Sequence, residues 1–287
     1  MQDIFHIGIP KSGTTSIQRT LKNDERILLT RSRYFTSKDW WLDKKNKIST
    51  DKIIIESNET LISGGFQKVK FIQVIERIYT HNKKASIIIT IREQESALKS
   101  MFKHHINNNF AGTKTFKNWI YNTNLGIDFI SICMYGNIAK ALLSYFPKEN
   151  IHFLFFEDLK ENPKEFYVQL YSIIGIPFIE DIISKEALNV SPFNNDQLYT
   201  LSKMNRWSLT KVKSSSHYKY SRLRTLENRI KKGIIRHFSF KANEDFFTLN
   251  NVEGIAKLRE DFKKNNNTLL ELGLVSEIKL KKYKYLV

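Results

Sequence analysis

The sequence predicts an α/β domain built on a central, mainly parallel sheet with helices on both faces. One observation is a set of short, continuously apolar runs at Asp3–Ile9, Lys52–Glu56, Ser86–Ile91 and Ile151–Phe156. Strands buried on both faces read as unbroken apolar runs, whereas half-exposed strands alternate. A second is that segments with helical spacing lie between these runs. A third is that the first run passes through Gly8-Ile-Pro-Lys-Ser-Gly13 straight into a helical segment, giving strand, loop and helix in sequence.

In chain order, Thr14–Lys22 is the helix that follows the loop. The 66–81 stretch carries apolar residues at 69, 72, 75 and 78–79, again a helical spacing. A helix from about Glu93 to Asn107 follows the third strand. Two more cover 114–122 and 125–146, the latter closing at Phe146-Pro147. Pro163–Ile174 begins on a proline and stops at Gly175, the usual asymmetry of helix ends. From about residue 180 onward the pattern is helical. No repeat or low-complexity linker interrupts the chain, so residues 1–287 are expected to form a single domain with a helical C-terminal portion.

With 287 residues, 41% of them hydrophobic, the chain can bury a sizeable core, which excludes a disordered class. The formal charge of +17 implies an anionic partner: nucleotide, nucleic acid, anionic glycan or lipid. Between Leu201 and Lys241 stand twelve Lys or Arg and one acid, Glu227. That segment reads as a solvated helical face, a docking surface for an anionic polymer, part of the nucleotide site, or a peripheral membrane contact. Cys133 is the only cysteine, which excludes an intrachain disulfide and a CxxC zinc site and fits a reducing compartment. No secretory signal is visible and the apolar runs are too short to span a bilayer, so a cytoplasmic protein is expected.

The Gly8–Gly13 loop carries the chemistry. A loop between a strand end and a helix N-terminus aims backbone N–H groups and the positive helix end at one point. Ser12, Thr14, Thr15 and Ser16 add hydroxyls, Gly13 allows close approach, and Lys11 places a full charge over the cradle. The arrangement suits a terminal oxyanion of a nucleotide. Thr14 occupies the place of the lysine in G-x-x-x-x-G-K-[ST], and the cation sits three positions earlier.

The stretch HIGIPKSGTTSIQ resembles the 5′-phosphosulfate loop of sulfotransferases that use 3′-phosphoadenosine 5′-phosphosulfate (PAPS). In that family the loop lysine precedes Gly-Thr-Thr and meets the bridging oxygen and sulfonate. Arg92 and Ser100, eight residues apart after the third strand, are similar to the family's 3′-phosphate motif. Tyr135 to Phe166 is similar to its pattern of Tyr, helix, Phe-Pro, strand and Glu-Asp-Leu. Within that stretch Glu157 and Asp158 are expected to serve a strand-end turn and a helix cap rather than catalysis. The stretch from Asp261 resembles the end of bacterial carbohydrate sulfotransferases.

The resemblance implies a P-loop-like sulfotransferase fold and an enzyme that moves a sulfonate group from PAPS to a carbohydrate hydroxyl or amine, leaving PAP. The acceptor would be a glycan or polysaccharide, itself anionic in one version of this reading. Lys11, Ser12, Gly13, Thr14, Thr15, Ser16, Arg92 and Ser100 would bind the nucleotide, and Lys11 would also take part in catalysis. For the base, Glu-Ser-Asn-Glu59 after the second run is similar to a segment of bacterial members. It puts Glu59 first, with Glu56 and His105 as rivals and His104 beside the latter. His6 is expected to pack beside the sheet. No metal is expected, since no carboxylate or His/Cys cluster stands at ligand spacing. Two other readings stay open on the residues alone: a kinase-like phosphotransferase, and a nucleic-acid-binding protein using the basic segment, although no recognition motif accompanies that charge.

Overall fold

A computed structural model describes residues 3–31, 34–36, 51–63, 69–108, 115–184, 192–206, 222–249 and 253–285. Among these residues are five strands: β1 (Ile4–Gly8), β2 (Ile27–Thr30), β3 (Ile53–Ser57), β4 (Ser86–Ile91) and β5 (Ile151–Phe155). The first nine helices are α1 (Thr14–Lys22), α2 (Thr60–Ser63), α3 (Phe71–His81), α4 (Gln94–Asn107), α5 (Phe116–Asn122), α6 (Asn124–Ile132), α7 (Tyr135–Leu143), α8 (Phe156–Glu161) and α9 (Pro163–Ile174). Four more follow: α10 (Asn195–Asn205), α11 (Arg222–His237), α12 (Ile255–Glu271) and α13 (Glu277–Lys282).

All five strands pair in parallel, in the order β2-β3-β1-β4-β5. The mainly parallel sheet expected from the apolar runs is therefore wholly parallel. By density of contacts the chain forms two units. The first comprises residues 1–94, 132–189 and 261–287, and the second 95–131 and 190–260.

The first unit holds the sheet. Side chains alternate between its faces. Ile4 joins Ile55, Ile88 and Leu154 in a core completed by Ile17 and Leu21 of α1 and Phe166, Tyr167 and Leu170 of α9. Phe5, one residue on, faces the other side, where its ring meets Phe35 and His81 edge-on at 5.1 and 6.4 Å. The second unit is helical and centred on aromatic rings. Phe102 stacks on Phe116 at 5.1 Å and approaches Trp119, Phe246 and Phe247 within 6.1 Å.

Three elements depart from the sequence reading. Residues 27–30 (ILLT) form edge strand β2, which the sequence reading passes over because its apolar run, Ile27–Leu29, is only three residues long. The segment expected as one helix over 125–146 is two helices, α6 and α7, interrupted at Cys133-Met134. A short helix, α8, also leaves β5 with no intervening loop.

Candidate active site

Parallel pairing decides where the candidate residues go. Gly8 of β1 pairs with Thr90 of β4, and His6 with Ser57 of β3, so the three strands end nearly level. The loop after β1, the turn after β3 and the first residue after β4 therefore meet at the carboxyl edge of the sheet. Open α/β sheets bind ligands at that edge, where the winding changes direction. Here β1 is the change-over strand, with β2 and β3 to one side and β4 and β5 to the other.

The loop is built for close approach. Gly13 has φ 81° and caps α1. A methyl group there would lie 2.7 Å from Leu159 and 3.0 Å from Phe156, so only glycine fits. At Gly8 it would sit 1.8 Å from the Thr14 methyl. Lys11 also adopts a left-handed φ of 74°, which is costly for a residue with a Cβ. Ser16 and Ile17 donate back to the Gly13 carbonyl. The N–H groups of Gly13, Thr14 and Thr15 have no acceptor among the described residues, as the first turn of a helix dictates. Such a cradle of amides fits a nucleotide's sulfate or phosphate oxygens.

Side chains around the loop divide into those turned toward it and those spent on the fold. Arg92 donates through Nη1 to the Lys11 carbonyl at 2.9 Å and lies over the Phe156 ring, 4.6 Å from its centre. Burial lowers the pKa of the Lys11 ammonium; the Glu59 carboxylate opposes this and the Arg92 charge adds to it. Thr14 Oγ1 donates to Glu59 Oε1. Burial raises the Glu59 pKa, against the charges of Lys11 and Arg31. Thr14 and Glu59 thus share a hydrogen bond beside Lys11, and Arg92 reaches the same loop through the Lys11 carbonyl.

The turn that delivers Glu59 is itself fixed. Asn58 donates its N–H to the His6 carbonyl and accepts the Thr60 N–H on its side-chain oxygen, at 3.2 and 3.0 Å. Gln18 of α1 donates to both the carbonyl and the hydroxyl of Ser57 at 3.0 Å, tying the loop's helix to the end of β3.

The Ser12 hydroxyl is buried and donates to the Ile9 carbonyl at 2.6 Å, so it closes the loop instead of facing a ligand. Ser16 is half-buried at the start of α1. Thr15 is half-buried in the first turn of α1. Ser100 lies half-buried on α4, which begins two residues after Arg92.

Of the rival bases, Glu56 is buried within β3 and accepts from Thr30 Oγ1 at 2.7 Å. His105 is buried in the second unit, where its Nδ1 accepts the Trp119 indole N–H at 2.9 Å. Both are thereby engaged in the fold. His6 bridges Ser57 and Thr90 at 2.8 and 2.9 Å inside the sheet, and burial holds its pKa at about 4, as expected of a packed histidine.

A supporting network escapes sequence reasoning. Glu157 accepts the Glu93 N–H at 2.9 Å and the Tyr285 hydroxyl at 3.0 Å, and Tyr135 donates to the Arg92 carbonyl at 2.5 Å. These bonds fix the backbone on either side of Arg92's peptide. Asp158 pairs with Lys279 and Tyr283, both at 2.6 Å. Glu157 and Asp158 therefore tie distant segments together, whereas a strand-end turn and a helix cap were expected; no side chain caps α8.

The comparisons with known proteins follow this geometry. The family described as "Sulfotransferase domain" matches residues 1–267. No curated protein matches the chain. Among solved structures, the chain is similar to a sulfotransferase from Alicyclobacillus acidocaldarius, with 15% identity and a TM-score of 0.53 over 65% of this chain and 87% of that one. Mouse sulfotransferase SULT7A1 complexed with PAP is 14% identical, with a TM-score of 0.46 over 100% of this chain and 89% of that one. The sulfotransferase domain from the curacin biosynthetic pathway is 11% identical, with a TM-score of 0.47 over 83% of this chain and 99% of that one. The family draws its sulfonate from PAPS and leaves PAP. By the match over residues 1–267, on a wholly parallel sheet with a glycine-lined anion loop, the chain belongs to the sulfotransferase family.

Proposed function

We propose that the chain transfers the sulfonate of PAPS to a hydroxyl or amine of a carbohydrate, with Glu59 as the base. The observation that carries this reading is Glu59 held by Thr14 at the loop and within the field of Lys11. PAPS supplies an electrophilic sulfonate whose leaving group is PAP.

This chain's residues do the rest. The amides of Gly13, Thr14 and Thr15 would hold the anionic oxygens, and the Lys11 ammonium would sit where charge accumulates as the sulfonate departs. Arg92 would add a second cation for the nucleotide's 3′-phosphate. Glu59 would accept the proton of the acceptor's hydroxyl or amine. Burial raises its affinity for a proton toward that needed of a base near neutral pH. Thr14 orients the carboxylate by donating to Oε1. The charge that develops is placed on groups already in position, so little reorganisation opposes transfer.

A carbohydrate acceptor is favoured by the Asp261–Leu274 segment, whose likeness is to bacterial carbohydrate sulfotransferases, and by a charge of +17 suited to an anionic glycan. Incubation with radiolabelled PAPS and a panel of glycans and small phenols tests the reading. Label on a glycan is the expected result. Label on phenols alone would overturn the carbohydrate acceptor while keeping the transferase.

A further inference from the structure

The second unit carries an exposed apolar row on helix α11. Helix α11 packs inward through Ile235, which is buried, and through Lys231, whose ammonium pairs with Glu227 at 2.6 Å and donates to Asn205 at 3.5 Å. Its outer side carries Leu226, Ile230 and Ile234, spaced four apart, and the line continues past the helix end to Phe238 and then Phe240. These five are 46% to 56% exposed and make up half of the ten large hydrophobic residues exposed in the described chain. Monomeric proteins scatter such residues singly; a continuous row marks an interaction surface.

This row sits on an anchored backbone. Past the helix, Phe240 donates its N–H to Thr200 Oγ1 at 2.7 Å, and Ala242 to Asp196 Oδ1 at 2.8 Å. The Phe238 and Phe240 rings pack edge to face at 4.9 Å, so they form one aromatic knob.

Positive charge runs beside the row. Arg229 and Arg236, seven apart and so on one line of the helix, are exposed, and Lys241 is exposed just beyond. Lys232 lies next to that line, its pKa lowered by burial. A second copy of the chain laid on this face would bring like charges together. An anionic glycan would use the cations and leave five apolar side chains in water. An anionic bilayer satisfies both, with the apolar row entering the acyl boundary and the cations meeting phosphates. Among the described residues no single helix is long and apolar enough to cross a membrane.

We infer that the outer face of α11, with Phe238 and Phe240, docks the protein on an anionic lipid membrane surface. Sedimentation of the full chain with vesicles tests this, using phosphatidylcholine alone and an equal mixture of phosphatidylcholine and phosphatidylglycerol. The protein is expected to bind the mixed vesicles and to be released by salt. The triple variant Ile230→Ser, Ile234→Ser, Phe238→Ser keeps every charge and should bind about tenfold more weakly or worse. Arg229→Gln with Arg236→Gln keeps the apolar row and should lose roughly fivefold per arginine. Both sets of changes are at exposed positions, and an unchanged thermal transition confirms that each variant folds. Equal binding to neutral vesicles, or full binding by the triple variant, overturns the inference. So does a wild-type dimer that the triple variant dissociates without any vesicle binding, which assigns the face to a second copy.

Discussion

The Arg92 guanidinium donates through Nη1 to the backbone carbonyl of Lys11, 2.9 Å away. Lys11 is one of two non-glycine residues with a left-handed φ among the described residues, and that conformation costs about 1–3 kcal/mol. The end of β4 therefore holds the loop's cation in a position that its own backbone preference resists.

Substitutions at Lys11 separate the charge from the strain. Lys11→Ala keeps a Cβ in the left-handed region and removes the ammonium, and turnover should fall ~10²-fold or more. Lys11→Gly removes both, so it should be as inactive yet about 1 kcal/mol more stable than Lys11→Ala. Turnover and thermal melts of the pair check this. An active alanine variant would take the lysine out of the mechanism.

Arg92→Ala should weaken binding of PAP more than of 5′-AMP, by about 1.5–3 kcal/mol, the worth of a charge-assisted hydrogen bond to the 3′-phosphate. Calorimetric titration with both nucleotides reads the difference. Equal losses would mean that Arg92 acts only through the Lys11 carbonyl.

His6 gives the fold a pH dependence of known sign. Burial lowers its pKa from 6.5 to about 4. Between those values the unfolded chain holds a proton on His6 and the folded chain does not. Its contribution to stability is therefore complete above pH 6.5 and is lost as pH falls toward 4, by ~3 kcal/mol in all. The carboxyls of Glu59 and Glu157, raised by burial, run in the opposite direction. Comparing wild type with His6→Gln by denaturant titration across this range isolates the histidine: the variant should lack the acid-side loss. Identical pH profiles would refute the assignment.

Much of the sheet was legible because its strands are continuous apolar runs bounded by glycine, proline or charge. The sequence reading matches the bounds of α1, β4 and α9, where Gly13, the SIIITI run, and Pro163 with Gly175 mark the ends. Strand β2 was not legible, since its apolar run of three, Ile27–Leu29, is shorter than those of the inner strands. Nor was the break between α6 and α7, which falls at Cys133-Met134 without proline or glycine. At the site, the strand ends predicted that Lys11, Glu59 and Arg92 would share an edge. The directions of the hydroxyls were not legible, because composition counts donors without saying where they point. Ser12 closes its own loop and Thr14 serves Glu59, and each choice depends on packing that spacing does not encode.

The most direct test of this account is the rate of sulfonate transfer from PAPS by Glu59→Gln beside wild type, with PAP affinity measured in parallel. Glutamine keeps the shape and can accept from Thr14, but it cannot take the acceptor's proton. The account predicts a turnover ~10²–10⁴-fold lower with PAP affinity nearly unchanged. A fully active Glu59→Gln enzyme would contradict it and return the base to Glu56 or His105.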